Sequence, residues 1–167
     1  MTLTFLIVMG VCGCGKTTLG QAAAAALGWN FYDADDFHPA ANIAKMRSGL
    51  ALTDEDRAPW LAALHTLIAT QCAAGHPGVL ACSALKARYR AVLLAGQVPA
   101  GVVYLKGSQA LIAARLAQRT GHFMSPALLE SQFAALEEPQ DALLVDIAWP
   151  PAQAVAAIID WVDQKRS

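Results

Sequence analysis

Charge is scarce in this chain. Acidic and basic residues make up 15% of its 167 positions, and 13 Asp and Glu against 12 Lys and Arg leave a net charge of −1. That balance supplies no basic surplus for a nucleic-acid backbone or an anionic membrane. There are four cysteines. Cys12, Cys14, Cys72 and Cys82 show no zinc-like spacing. Cys72 and Cys82 stand in apolar surroundings and read as buried small hydrophobes. Cys12 and Cys14 share a tight turn that a disulfide would distort, so a reducing, cytoplasmic compartment is expected. No Lys or Arg precedes the N-terminal apolar run, which argues against a signal peptide. Residues 58–85 carry no formal charge, but His65 and Gly75-His76-Pro77-Gly78 divide them into helix, turn and strand rather than a membrane span. No internal repeat, low-complexity tract or linker is present. One domain over residues 1–167 is expected, large enough to bury roughly 70% of its unfolded surface.

The informative segment is Gly10-Val11-Cys12-Gly13-Cys14-Gly15-Lys16-Thr17. It matches G-x-x-x-x-G-K-[ST], the phosphate-binding P-loop. A buried strand, Thr4-Phe5-Leu6-Ile7-Val8-Met9, comes before it, and a helix over 17–27 follows. The motif thus sits between a strand and a helix N-terminus. There, backbone N–H groups and the helix dipole favour an anion, and a polyphosphate is the natural occupant.

Five apolar segments, at 3–9, 30–33, 78–82, 101–105 and 142–146, alternate with helical patterns. That alternation predicts a parallel sheet covered on both faces. Helices are expected over 59–73, 84–95, 108–119, 126–136 and 151–164, with Pro59, Pro126 and Pro151 in first turns. The first helix carries no charge between Lys16 and Asp33 and is expected to pack on most sides, with Gly28 as its C-cap. Ligands of such a sheet bind at the carboxyl ends of its strands. Lys16, Asp33, Asp35, Ser83, Lys86 and Lys106 fall there.

Phe31-Tyr32-Asp33-Ala34-Asp35-Asp36-Phe37-His38-Pro39 ends the second strand with three carboxylates and a histidine. Two carboxylates two residues apart on an extended segment point to one side. One can serve a Mg²⁺ shell while the other reaches a hydroxyl, as phosphoryl transfer requires. A solvated acidic turn is the alternative. Lys86, early in a helix, suits an anionic ligand there; Arg88 reads as solvent-facing. Arg115 and Arg119 share a helix face before Thr120-Gly121-His122-Phe123, either as a mobile cationic loop or as a solvated helix end. Arg57 either pairs with Asp54-Glu55-Asp56 or grips a substrate carboxylate. His65 and His76 read as structural or surface residues. Cys14 beside Lys16 is either a low-pKa thiol or a small residue standing where serine would do.

These segments resemble the gluconate kinase (gluconokinase) family, within the shikimate/adenylate kinase-like P-loop kinases. Asp33-Ala34-Asp35-Asp36-Phe37-His38-Pro39 and Cys82-Ser83-Ala84-Leu85-Lys86 are the specific parts. Leu52-Thr53-Asp54-Glu55-Asp56-Arg57-Ala58-Pro59-Trp60-Leu61, Tyr104-Leu105-Lys106-Gly107 and Arg119-Thr120-Gly121-His122-Phe123 follow in family order. Ala34 replaces the usual Gly, Cys12 and Cys14 replace Ser-type residues, and the stretch at 137–141 is short. The resemblance implies a three-layer α/β P-loop kinase fold with a five-stranded parallel sheet in order 2-3-1-4-5, and a lid at about residues 115–130. It implies transfer of the ATP γ-phosphoryl group to the 6-hydroxyl of D-gluconate, with Mg²⁺, by a cytoplasmic homodimer. By role, Gly10, Val11, Cys12, Gly13, Cys14, Gly15, Lys16, Thr17 and Thr18 would bind ATP, and Thr17 and Asp33 would hold the metal. Lys16, Asp35 and Arg119 would be catalytic. Asp35, His38, Arg57, Lys86 and His122 would bind gluconate.

Three rivals make different demands. A shikimate or nucleotide kinase would share the loop and lid but lack the two specific segments together. A GTP-dependent switch needs Asn-Lys-x-Asp, which the sequence does not contain. A nonenzymatic nucleotide-binding module would not require the Asp33/Asp35 pair.

Overall fold

The computed structural model describes residues 2–119 and 125–167. Its centre is β1 (Phe5–Met9), buried at every position. Such a strand reads as one continuous apolar run because helices cover both of its faces. Leu6 and Val8 point into one core; Phe5, Ile7 and Met9 point into the other. The partners of β1 are β3 (Gly78–Ala81) and β4 (Ala100–Lys106), and the edges are β2 (Asn30–Asp33) and β5 (Ala142–Asp146). All pairings are parallel and the order is β2-β3-β1-β4-β5, as expected from the resemblance.

One face carries α1 (Lys16–Leu27) and α7 (Pro151–Arg166), with α5 (Gln109–Ala117) and α6 (Pro126–Ala135) adding Ile112 and Leu129 to the same core. The other carries α3 (Asp54–Ala73) and α4 (Ala87–Leu93), which contribute Trp60, Leu61, Leu64, Ile68, Tyr89 and Leu93. These are the three expected layers. Among the described residues no helix is long and apolar enough to cross a membrane.

Four local expectations need correction. First, α1 is buried only along Gly20, Ala23 and Ala24, and Gln21, Ala22, Ala25 and Ala26 are exposed. Alanine favours a helix without needing burial, so absence of charge did not mean enclosure. Gly28 does cap it. Second, α3 begins five residues before Pro59. Thr53 and Asp56 form a reciprocal capping box that starts the helix, and Pro59 lies inside it. Third, a helix not anticipated, α2 (Ala40–Arg47), follows Pro39. Fourth, the helix expected from residue 84 starts at Ala87, because Ala84 takes a left-handed φ of 44° and Lys86 is the N-cap.

Register brings the strand ends level. Val8 and Asp33 both pair with Ala81, so the loops leaving β1, β2 and β3 open on one edge.

Candidate active site

The loop after β1 is shaped by Gly13 and Gly15, at φ 82° and 94°. Side chains rarely adopt these angles, and Gly15 enters α1 directly as its N-cap. The first turn of α1 therefore presents Lys16, Thr17 and Thr18 beside the loop. Lys16 Nζ donates to Val11 O at 3.1 Å. The Cys12 amide donates to Gln132 Oε1 at 2.7 Å, tying α6 to the loop. Cys14 is buried at 3% exposure. Burial pushes its thiol up despite the nearby Lys16 charge, so the low-pKa reading of Cys14 gives way to that of a small packed residue. Cys82 is also buried and is pushed up to about 12, as suits an inert core thiol.

The acidic turn is not extended. Residues Ala34–Phe37 form a 3₁₀ turn capped by Asp33, whose Oδ1 accepts the Asp35 N–H at 3.0 Å. An aspartate at the end of a strand competes for the next backbone donors in this way. The two carboxylates still reach one cleft, by a different route. Asp33 Oδ2 accepts from Thr17 Oγ1 at 3.2 Å, and Asp33, Asp35, Lys16, Thr17, Thr18 and Arg119 line one cleft of about 320 Å³. Asp35 is exposed as a residue, yet it lines the cleft and its carboxyl is partly desolvated. That desolvation, with the Asp33 charge, holds its carboxyl above the usual range.

Two side chains fix this turn from behind. Trp60 Nε1 donates to Ala34 O at 2.7 Å, and the indole stacks on His38 with ring centroids 4.3 Å apart. Buried Asn42 donates to Asp56 O at 2.9 Å and lies 3.4 Å from His38 Nδ1. Desolvation holds His38 below its ordinary pKa, helped by the Arg57 charge and opposed by Asp35. The ring is therefore neutral near pH 7.

Beyond His38 lies a cluster of cations. Arg57, Lys86 and Arg88 sit 5.8, 5.6 and 5.7 Å from the centre of the Tyr89 ring. Asp54 accepts from Lys86 Nζ at 3.2 Å and also from Arg88 and Tyr89. Arg57 donates to Leu52 O at 2.7 Å rather than to an acid. Asp54 thus pairs with two of these cations and Arg57 with no acid, which leaves the cluster receptive to an anion. Arg88, expected to face solvent, is exposed but paired. Arg90 is buried and donates to Ala84 O, Leu85 O and Glu137 O, which holds the strained Ala84 in place.

A second cleft of about 230 Å³, largely apolar, shares Gly13, Gly15, Thr18 and Arg119 with the first. Arg115 lines it and donates to Ile147 O at 2.7 Å, alongside Trp149 and Ala154. Arg115 and Arg119 thus both reach the cleft. His122, Gly121 and the middle of the expected lid lie outside the described residues. Sequence reasoning gave no role to Gln132, Trp60, Asn42 or Arg90. Trp60, Asn42 and Arg90 stand in segments that carry the resemblance, but nothing in the neighbours of Trp60 points to a carbonyl 26 residues away.

A P-loop joined to an acidic turn and an apolar cleft suits a small-molecule kinase, and comparison with known proteins narrows it. The profile of the AAA domain family matches residues 5–139. The gluconokinase of Gluconobacter oxydans is 50% identical over 137 residues, covering 82% of this chain and 77% of that protein. The chain belongs to the gluconokinase family. A probable gluconokinase of Mus musculus is 49% identical over 151 residues, covering 80% of this chain and 82% of its own length. The crystal structure of a gluconokinase from Sinorhizobium meliloti superposes with a TM-score of 0.87 at 39% identity, covering 99% of this chain and 95% of that one. Gluconokinase membership agrees with the resemblance carried by residues 33–39 and 82–86, and the shikimate and nucleotide kinase alternatives are not favoured.

Proposed function

We propose that this chain transfers the γ-phosphoryl group of ATP to the 6-hydroxyl of D-gluconate, giving 6-phospho-D-gluconate and ADP. The observation that carries the proposal is the meeting of Asp35 with Lys16 in one cleft. A hydroxyl placed there has a proton acceptor on one side and a phosphate-binding cation on the other. Asp35 accepts the proton as the hydroxyl oxygen bonds to phosphorus and the bond to the β-phosphate oxygen breaks. The raised carboxyl of Asp35 makes it a better base than an ordinary surface aspartate. Lys16 and Arg119 offset the charge that spreads over the phosphoryl oxygens.

Thr17 Oγ1 and Asp33 Oδ2, 3.2 Å apart at the loop, are hard oxygen donors that fit Mg²⁺. Among the described residues no group of three or more His, Cys, Asp or Glu could hold a metal. Two protein oxygens with the remainder from phosphate and water is the pattern that Mg²⁺ takes in kinases. Held by Thr17 and Asp33, the ion would supply positive charge that offsets part of the phosphate charge. In the same reading, Arg57 and Lys86 receive the gluconate carboxylate and the neutral His38 ring hydrogen-bonds its hydroxyls. The apolar second cleft takes the nucleoside. His122 is assigned to gluconate on resemblance alone.

A coupled ADP-release assay with gluconate, other aldonates, shikimate and nucleoside monophosphates tests this. Gluconate should be the best acceptor by orders of magnitude; a nucleotide or shikimate preference would overturn the proposal. A cytoplasmic homodimer acting without nucleic acid or membrane belongs to the same reading, and light scattering on the purified protein checks the dimer.

A further inference from the structure

Gln132 joins two parts of the chain that lie 120 residues apart. A carboxamide carries one acceptor oxygen and one pair of N–H donors at its opposite corners. Once Oε1 accepts the Cys12 amide, the direction of Nε2 is set as well. Gln132 is half-buried and lines the cleft that holds Lys16, Asp35 and Arg119. Among the described residues every buried side-chain polar atom has a partner, and Nε2 donates to no protein acceptor there, so it is accessible on a residue that lines the cleft.

The helix that carries Gln132 is held at its far end. Just past α6, the Glu137 N–H donates to Leu85 O at 2.9 Å, and Arg90 donates to Glu137 O at 2.8 Å. The Glu137 carboxylate also accepts the Ala87 N–H. The side chain therefore starts one turn from an anchored backbone and ends on the phosphate loop. A donor fixed in advance at a place where negative charge develops needs little reorganisation during the reaction.

We propose that Gln132 contacts the transferring phosphoryl group: Oε1 holds the Cys12 amide, and Nε2 donates to a γ-phosphate oxygen. The inference rests on the reading that ATP occupies the loop. It makes Gln132 a sensor of the third phosphate. The competing role is a tether that only holds α6 against the loop.

Two variants separate these roles. Gln132→Glu keeps an oxygen for the Cys12 amide and removes the N–H donors. Gln132→Met has similar length and removes both, without adding charge near Arg119. Binding of ADP and of a non-hydrolysable ATP analogue is measured for each, with kcat for gluconate. Hydrogen bonds to charged groups contribute enough that both variants should bind the analogue about 10- to 100-fold more weakly. ADP, which lacks the third phosphate, should bind within about threefold of wild type, and kcat should fall at least about 100-fold. Wild-type analogue binding and kcat in Gln132→Glu would overturn the proposal. Equal weakening of ADP and analogue would also overturn it, by marking a tether alone. A wild-type protein that binds neither nucleotide would instead refute the ATP reading itself.

Discussion

Replacing Trp60 with Phe isolates the bond that holds the acidic turn. Phe preserves an aromatic ring to stack on His38 but cannot donate to Ala34 O, now reached by the indole at 2.7 Å. Ala34 is 1% exposed and Trp60 4%, so water does not readily replace the lost donor. A buried acceptor left without a partner costs about 1–3 kcal/mol. The smaller ring adds a further loss on the order of 1 kcal/mol through the void it leaves. For a domain of this length each kcal/mol moves the melting midpoint by about 2–4 °C. The sum, on the order of 3 kcal/mol, predicts a drop of roughly 6–12 °C in circular-dichroism melts. Activity should respond separately. Asp35 is the residue after Ala34, and a displacement near 1 Å in a reacting group can cost on the order of 100-fold in rate. The kcat for gluconate should fall more than the KM for ATP rises, since the loop that binds nucleotide is not touched. A melting point within about 1 °C of wild type together with an unchanged kcat would show that the indole does not hold the turn.

Asp35→Asn should lower kcat by about 10²- to 10⁴-fold, the usual worth of a positioned base, while ATP binding changes little. The same variant should melt higher at neutral pH. A raised Asp35 pKa means the ionised form is penalised in the fold, a penalty absent below the ordinary 3.8 and complete above the folded value. Equal melting of variant and wild type across pH would contradict the burial argument. Asp33→Asn can still accept the Asp35 amide and meet Thr17, so the fold should persist while the Mg²⁺ requirement rises in a metal titration. His38 has the opposite sign from Asp35. Its lowered pKa lets the unfolded chain take up a proton near 6.5 that the fold resists, so stability falls as pH drops through and below that value. His38→Gln should flatten the melting-point slope between about pH 5 and 7.5, and an unaltered slope would refute this. Alkylation followed by peptide mapping should label the half-exposed Cys12 and Cys72 in the folded protein and spare Cys14 and Cys82; rapid labelling of Cys14 would restore it as the reactive thiol.

The parallel sheet and the placement of Lys16, Thr17, Asp33 and Asp35 were legible in the sequence for a physical reason, whereas the strand order came with the family resemblance. A glycine-rich turn between a buried strand and a helix has few ways to fold, and its chemistry is local. The same locality explains the misses. The capping box at Thr53 and Asp56 was visible three residues apart, but Pro59 drew the helix start toward itself. Helix α2 has only one buried residue, Asn42, and so shows no apolar stripe from which to read it. The alanines of α1 left burial undetermined because they carry neither charge nor bulk. For Cys14 the sequence left two readings open, because the deciding influence is enclosure by packing rather than the nearby Lys16.

The residues that position the site share a feature that no local pattern encodes. Trp60, Asn42, Arg90 and Gln132 each spend polar groups on a backbone atom of another segment: Ala34 O, Asp56 O, Glu137 O and the Cys12 amide. The groups assigned to the chemistry point into an open cleft and gain little from packing there. Asp35 is even held in an unfavourable ionisation state. Their geometry must therefore be imposed from outside the cleft, by bonds to the main chain that carries them. A side chain bonded to a carbonyl or an amide fixes backbone position without depending on the identity of the residue it holds. In this arrangement the Ala34 and Cys12 side chains take no part in the bonds that hold Asp35 and the loop. It also places sensitivity where motif reading would not look. Substitution at Ala34 or Cys12 that keeps the backbone path should be tolerated, whereas loss of the distant donor or acceptor should shift the cleft.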